Sequence, residues 1–345
     1  MLKFIHFNMK KQLLFTLILG AAIGISPSLS AQKFFDSTET VPIKLNYSNK
    51  QLARKTNDST FIETTMVYTH EGKEASIPVR LRARGNFRRS RCYFPPVKMK
   101  IYKEDAKGTL FDGQKSMKLV LPCLLEDGNQ DNILKEYLGY KIYETVADHY
   151  FRTRPVDVDF SEIKKKKEIV HKLKGFLIED DKKVAKRAEG KVFERYIHPL
   201  AMDAEASITN ALFQYMIGNT DFSVAYQHNG KLLYVDSKII PLPYDFDMSG
   251  LVNPSYAVVN PTLGISSVTD RKYRGFKRDV SAMESVRQKY LDQKANIMTI
   301  VDSFKDDFES ASTFAETRDF ISSFFTVLES DKEFKAQIID QMRTK

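Results

Sequence analysis

Between Val41 and Leu121 apolar and polar positions alternate in short runs, VPIKLNY, FIETTMVYT, SIPVRLRARG, FPPVKMKIY and SMKLVL, punctuated by Gly, Pro and Asn. Successive side chains of a strand point to opposite faces, so VRLRAR and VKMKI predict antiparallel strands with one wet face. The period then changes. In DGNQDNILKEYLGYKIYETVADHY, Ile133, Leu134, Tyr137, Leu138, Tyr140 and Ile142 recur at helical spacing behind the N-cap candidates Asp127 to Asp131. Gly139 inside that predicted helix costs about 1 kcal/mol relative to Ala. RPVDVDF and HKLKGFLIED predict two more strands, with the lysine run Lys164 to Lys167 as a solvated hairpin tip, and the charged stretch DDKKVAKRAEG reads as a connector.

Beyond the connector, AMDAEASITNALFQYMIGN places Ile208, Leu212, Tyr215 and Met216 on one helical face and stops at Gly218-Asn219. TDFSVAY, KLLYV and IIPLPYDF are strand-like, a Pro/Gly/Ser-rich loop runs from Ser249 to Gly264, and the last third is amphipathic helix. The fold class is therefore α+β, with a β-rich part including one helix over 32–182 and a mainly helical part over 183–345.

Composition adds a compartment. The 345 residues are 42% hydrophobic, 12% aromatic and 28% charged, an ordinary globular balance. Lys10 and Lys11, the apolar run from Leu13 to Ile25 and small residues up to Ala31 read as a signal peptide over 1–31, cleaved near Ala31/Gln32. The run falls short of the about 20 residues of a comfortable span, so no stable membrane span is expected after cleavage. An uncleaved anchor is the alternative. No cysteine lies at the cleavage point to suggest a lipoprotein. Loss of Lys3, Lys10 and Lys11 reduces the net charge from +9 to +6, which does not argue for nucleic acid. Cys92 and Cys123 are the only cysteines and match no zinc spacing; in an oxidising compartment they predict a disulfide holding two neighbouring strands.

Candidate chemistry begins at PLPYDFD. On a strand, Asp245 and Asp247 point to one face while Phe246 packs on the other, and two like charges side by side call for a cation such as Mg²⁺ or Mn²⁺. The bland alternative is one Asp capping a turn and the other solvated. A second polar cluster, with Asn219, Asp221, Gln227, His228 and Asn229, follows the long helix, and the short hairpin after it can bring both clusters to one cleft. A loop carboxylate to position a hydroxyl and a strand-end carboxylate for a metal suit phosphoryl transfer. His228 reads more simply as a packed loop residue. TDRKYRGFKRD, with Arg271, Lys272, Arg274, Lys277 and Arg278, reads as a solvated basic segment suited to an acidic or phosphorylated partner.

As a set, RARGN, FDGQKSMKLVLPC, ILKEYLGYKIY, RPVDVDF, GFLIEDD, GNTDFSV, QHN and PLPYDFD resemble the spore coat protein H (CotH) kinase-like family, specifically its exported Bacteroidetes-type members, over most of the chain after residue 31. GNTD and the P-Y-D piece are also similar to HipA-type kinases. The resemblance implies an atypical protein-kinase-like bilobal fold, an exported enzyme, periplasmic or secreted in a Gram-negative bacterium, and Mg²⁺-ATP-dependent transfer to a protein or other hydroxyl-bearing envelope acceptor. It implies Asp221 as the catalytic aspartate and Asp245 as a metal ligand, with Asp247 as a second ligand or a partner to one. It also implies Lys118 on nucleotide phosphates, Glu136 as the helix residue that pairs with it, and Arg82, Arg84, Gly85 and Asn86 in the turn that approaches the phosphates. Glu179 would lie where the adenine binds. No GxGxxG loop and no HRD triplet occurs, and Tyr226 stands where a second metal ligand is expected, leaving Gln227 and Asn229 as the nearest amides.

Two other readings compete. A pseudokinase or scaffold would use the same fold for envelope assembly, and the missing Asn after Asp221 favours it. A metal-dependent glycosyltransferase would also use a DFD pair, but the chain lacks the opening strand–helix alternation of a nucleotide-binding α/β sheet.

Overall fold

In the computed structural model, which describes residues 34–85, 87–164 and 167–344, the alternating runs become β1 (Val41–Asn46), β2 (Ile62–His70), β3 (Lys73–Ala83), β4 (Val97–Lys100) and β5 (Ser116–Val120). Three short helices interrupt them, α1 (Asn49–Lys55), α2 (Phe87–Arg91) and α3 (Lys103–Ala106), before α4 (Asn129–Val146) and the long hairpin β6 (Thr153–Lys164) and β7 (Lys167–Ile178). Alternate residues such as Ile43, Leu45, Val79, Leu81, Met99, Met117 and Leu119 point inward and are almost wholly buried.

The expected bilobal kinase-like fold is corrected here. The strands close on themselves as a seven-stranded barrel in the order β1-β2-β3-β4-β5-β7-β6, with the helices mostly C-terminal to it. Closure comes from β1, which pairs antiparallel with β2 and, on its other edge, parallel with β6 from Val41 opposite Val156 to Asn46 opposite Ser161. That pairing satisfies an edge that an open sheet would leave with unpaired N–H and C=O groups. The coarser α+β content stands.

Past the barrel, α5 (Asp181–Arg187) occupies the stretch expected as a connector, and a division at 182/183 falls inside it. Asp180 caps it by accepting from the Lys182 amide. A three-stranded sheet follows from β8 (Lys191–Val192), β9 (Gly230–Val235) and β10 (Lys238–Pro243), with α6 (Ala204–Met216) before the β9–β10 hairpin. TDFSVAY forms no strand; it is a loop closed by a bridge between Ser223 and His228. The chain ends in α7 (Val280–Asp292), α8 (Lys294–Ser303), α9 (Ala311–Glu329) and α10 (Asp331–Gln337).

The two large apolar cores lie inside the barrel and where α4 and the outer face of β5 and β7 meet α6 to α10, and Met202, Leu232 and Ile239 form a small third cluster. Val120, Phe176 and Ile178 belong to the second and their neighbours Leu119 and Leu177 to the first, so these strands are buried on both faces and read as unbroken apolar runs. Among the described residues no helix is long and apolar enough to cross a membrane. The signal-peptide segment lies outside the described residues.

Cys92 and Cys123 form a disulfide. It joins the residue after α2 to the loop after β5 rather than two strands, and the Tyr93 amide donates to the Cys123 carbonyl beside it at 2.7 Å.

Gly139 has a packing reason: a Cβ there would stand 3.2 Å from Phe246, whose ring lies buried between Tyr140 and Phe213. Gly139→Ala is therefore expected to be near neutral, its helix-propensity gain of about 1 kcal/mol offsetting a tight contact, whereas Gly139→Val should destabilise by about 1–3 kcal/mol. Urea denaturation of the two variants checks the difference.

Candidate functional site

Between the barrel wall and the loops of the helical part lies a cavity of about 700 Å³. Its barrel wall is built by register. Arg82 on β3 lies opposite Lys98 on β4, and Lys98 opposite Lys118 on β5, so three cations stand in a row on the outer face. Lys98 is held by Asp180 at 2.5 Å and Arg82 by Asp58 at 2.9 Å. The Lys118 ammonium has no hydrogen-bond partner among the described residues and sits over the rings of Phe151 and Tyr244 at 4.5 and 4.4 Å. Burial, then Arg84 and Lys98, push Lys118 down to about 7. Arg84 and Gly85, in the turn after β3, line the same cavity, and the Arg84 Nε and Nη2 atoms are also without partners. Asn86 lies outside the described residues.

The opposite wall carries the acids. The chain leaves α6 through Gly218, in the left-handed region at φ +61°, and backbone bonds tie that exit to the loop after PYDFD, Gly250 N–H to Gly218 carbonyl at 3.0 Å and Leu251 N–H to Ile217 carbonyl at 2.9 Å. The β9–β10 hairpin turns on Asp236 and Ser237, both at positive φ, and sets Gly230 opposite Pro243, which brings QHN beside YDFD. The two clusters therefore do meet in one cleft.

Asp221, half exposed, accepts hydrogen bonds from His228 at 3.0 Å and from the Asn229 amide at 2.9 Å. The Asn219 side chain takes the Asp221 backbone N–H at 2.9 Å, and Arg274 donates to the carbonyls of Thr220 and Phe222 on either side. The basic segment expected to be solvated is thus an internal clamp: Arg271 likewise donates to the Met216 carbonyl and Arg278 to those of Pro199 and Met202. His228 is a site residue that the sequence reading set aside. The Gln227 amide donates to the Arg195 carbonyl at 3.2 Å, and that of Asn229 is taken up by Asp221.

Asp245 lies beyond the strand end at φ +67°, so its alignment with Asp247 does not come from strand alternation. Its backbone N–H donates to the Tyr140 hydroxyl at 2.9 Å, and Phe246 packs inward as expected. Both carboxylates converge on one residue that the motifs did not single out. Arg88, buried on α2, pairs with Asp245, reaches Asp247 through Nε at 3.2 Å and Glu136 through Nη1 at 3.5 Å. Arg84 adds a longer contact to Asp245 at 3.9 Å. Glu136 therefore meets Arg88, and the expected pairing with Lys118 is not made. Glu179 is also placed elsewhere: it is buried against Arg187 at 2.9 Å and the Arg152 amide at 3.3 Å, and does not line the cavity.

Burial pushes Glu136 up to about 8 and Asp247 up to about 6, in both cases against Arg88, while Asp245 is held below its ordinary value because Arg88 and Arg84 outweigh burial. Burial alone would lower Arg88, but Asp247, Asp245 and Glu136 outweigh it and keep the guanidinium charged. A divalent cation does not fit this donor set as arranged. The Arg88 guanidinium already bridges Asp245 and Asp247, and no group of three or more His, Cys, Asp or Glu side chains among the described residues could hold a metal ion.

No family model and no curated protein matches the chain.

The raised carboxyl groups fix a pH dependence. Between its ordinary value and about 8, Glu136 is protonated when folded and ionised when unfolded, so stability contributed at low pH is lost as pH rises through that window. Asp247 acts in the same sense up to about 6, and Asp245 in the opposite sense, losing its contribution as pH falls through its lowered value. The wild type is expected to lose melting temperature between about pH 6 and 8, and Glu136→Gln to flatten that decline. Thermal scans across that range check it; a parallel decline in both proteins would contradict it.

Proposed function

We propose that this cleft binds the phosphate chain of a nucleotide and transfers a phosphoryl group to a hydroxyl-bearing acceptor, the activity implied by the CotH-type motifs. The observation that carries the reading is the meeting, in one cavity, of cationic donor atoms without hydrogen-bond partners among the described residues on one wall, the Lys118 ammonium and the Nε and Nη2 of Arg84, with the oriented Asp221 carboxylate on the other. Unmade hydrogen bonds on buried cations are costly, and phosphate oxygens are strong acceptors that satisfy several at once. Arg82 extends the same wall.

In this reading Lys118, Arg84 and Arg82 hold the phosphates and offset the charge that spreads over the transferring group. Asp221, fixed by His228 and Asn229, accepts the proton of the acceptor hydroxyl as the new O–P bond forms and the bond to the leaving phosphate breaks. The acceptor is a protein or another envelope molecule, and the site of action is outside the cytosol, where the Cys92–Cys123 disulfide is stable. A binding-only protein is the second reading. It is favoured by Arg88, which bridges the two carboxylates that the family pattern reserves for a metal.

ATP is expected to raise the melting temperature of the protein, and Lys118→Met to weaken binding by about tenfold or more, since a charge-assisted bond contributes about 1.5–3 kcal/mol. Because Lys118 is half neutral near pH 7 and phosphate binding favours its protonated form, affinity should fall as pH rises above about 7, and this fall should vanish in Lys118→Met. Calorimetric titrations over that pH range check both points. Asp221→Asn should keep ATP binding and lose ATP turnover; if turnover survives in that variant, Asp221 is not the base, and if ATP binds under no condition, the phosphate site is wrong.

A further inference from the structure

We infer that Arg88 is a resident cation standing in the place of a divalent metal beside Asp245, so that the cleft binds polyphosphate without Mg²⁺. The first half of this statement is independent of the function proposed above; the second rests on it.

The geometry carries it. One guanidinium, almost wholly buried, faces three carboxyl groups from two parts of the chain: Asp245 and Asp247 after β10, and Glu136 on α4. A guanidinium is planar, permanently charged and less strongly hydrated than an ammonium, which suits it to a buried site that must stay positive. It is also fixed from behind. The Cys92 amide donates to the Arg88 carbonyl at 2.9 Å, and Cys92 is bonded to Cys123 at the end of the barrel wall. The neighbouring Arg89 donates to the carbonyls of Ala53 and Thr56, which anchors α2 to the segment around α1. Withdrawal of the Arg88 side chain to admit a metal would break its contacts to Asp245, Asp247 and Glu136 together and leave the Glu136 carboxyl on α4 buried without its partner.

The charge count agrees. Asp245 and Asp247 face the Arg88 and Arg84 guanidinium groups, so the two acids at the floor are already matched by two fixed positive charges, and Lys118 on the facing wall adds a further one when protonated. Adding a dication between these groups would set it against two guanidinium groups in a site closed on its barrel side.

The test uses the whole chain after residue 31 with two probes, Mn²⁺ followed by electron paramagnetic resonance and ATP followed by calorimetry. The wild type is expected to bind no Mn²⁺ that Asp245→Asn abolishes, and to bind ATP as tightly in EDTA as in excess Mg²⁺. Arg88→Gln should make ATP binding depend on Mg²⁺ by about tenfold or more, and Arg88→Lys, which keeps a positive charge, should restore binding in EDTA. Mn²⁺ binding by the wild type that is lost in Asp245→Asn overturns the inference, as does an ATP affinity that rises about tenfold with Mg²⁺. If Arg88→Gln does not fold, the wild-type and Asp245→Asn measurements still decide. If ATP binds in neither condition, the phosphate reading fails, and the Mn²⁺ titration alone settles whether Arg88 excludes a metal.

Discussion

A guanidinium buried this deeply has to be compensated by protein groups, because it can turn little of its charge to water. Much of the chain is organised by that demand. Arg88 comes from the barrel side, Glu136 from α4, and Asp245 and Asp247 from the far end of β10, so the contact welds the barrel to the helical part at the floor of the cleft. The local backbone bends to meet it: Asp245 adopts a left-handed conformation that a non-glycine residue takes only when its surroundings over-determine it. Those surroundings are the Tyr140 hydroxyl on its amide and the Phe246 ring seated against Gly139.

The two walls of the cleft are built by different means. The cationic wall needs only strand register, since residues directly opposite on β3, β4 and β5 share a face and line up Arg82, Lys98 and Lys118. The acidic wall has no such regularity. Its loops are held by bonds to backbone carbonyls, with Arg271 and Arg274 clamping the segment around Asp221 and the Gly218–Gly250 contact closing it from below. Stiff loops of this kind keep a carboxylate in one orientation without a helix or strand to hold it.

Periodicity made the strands and the long helices legible, because the inward residues of β1 to β5 and the recurring apolar residues of α4 are local signals. Partner choice is not local. The parallel pairing of β1 with β6 joins residues more than a hundred positions apart, and no alternation in VPIKLN announces it, so the kinase-like two-lobed arrangement expected from the motifs gave way to a barrel. The site divides in the same way. Asp221, Asp245, Lys118 and Arg84 were found from short motifs and do share a cavity. Arg88 was hidden among Arg89 and Arg91 in FRRSR, where one-dimensional reading gives no reason to bury the first more deeply than the others. Glu179 and the Lys118–Glu136 pair failed because a nearer arginine claimed each acid, Arg187 in one case and Arg88 in the other.

The link between Cys92 and Cys123 acquires a different meaning once its position is considered. It closes immediately behind the residue that neutralises the floor of the cleft, at the hinge between a five-residue helix and the end of a barrel strand. A helix that short has no stability of its own. Whatever opens the sulfur bridge therefore slackens the tether of the central charge while leaving the barrel's hydrogen-bonded strands intact, and the chemical surroundings in which the chain matures become part of what sets the polarity of its cleft.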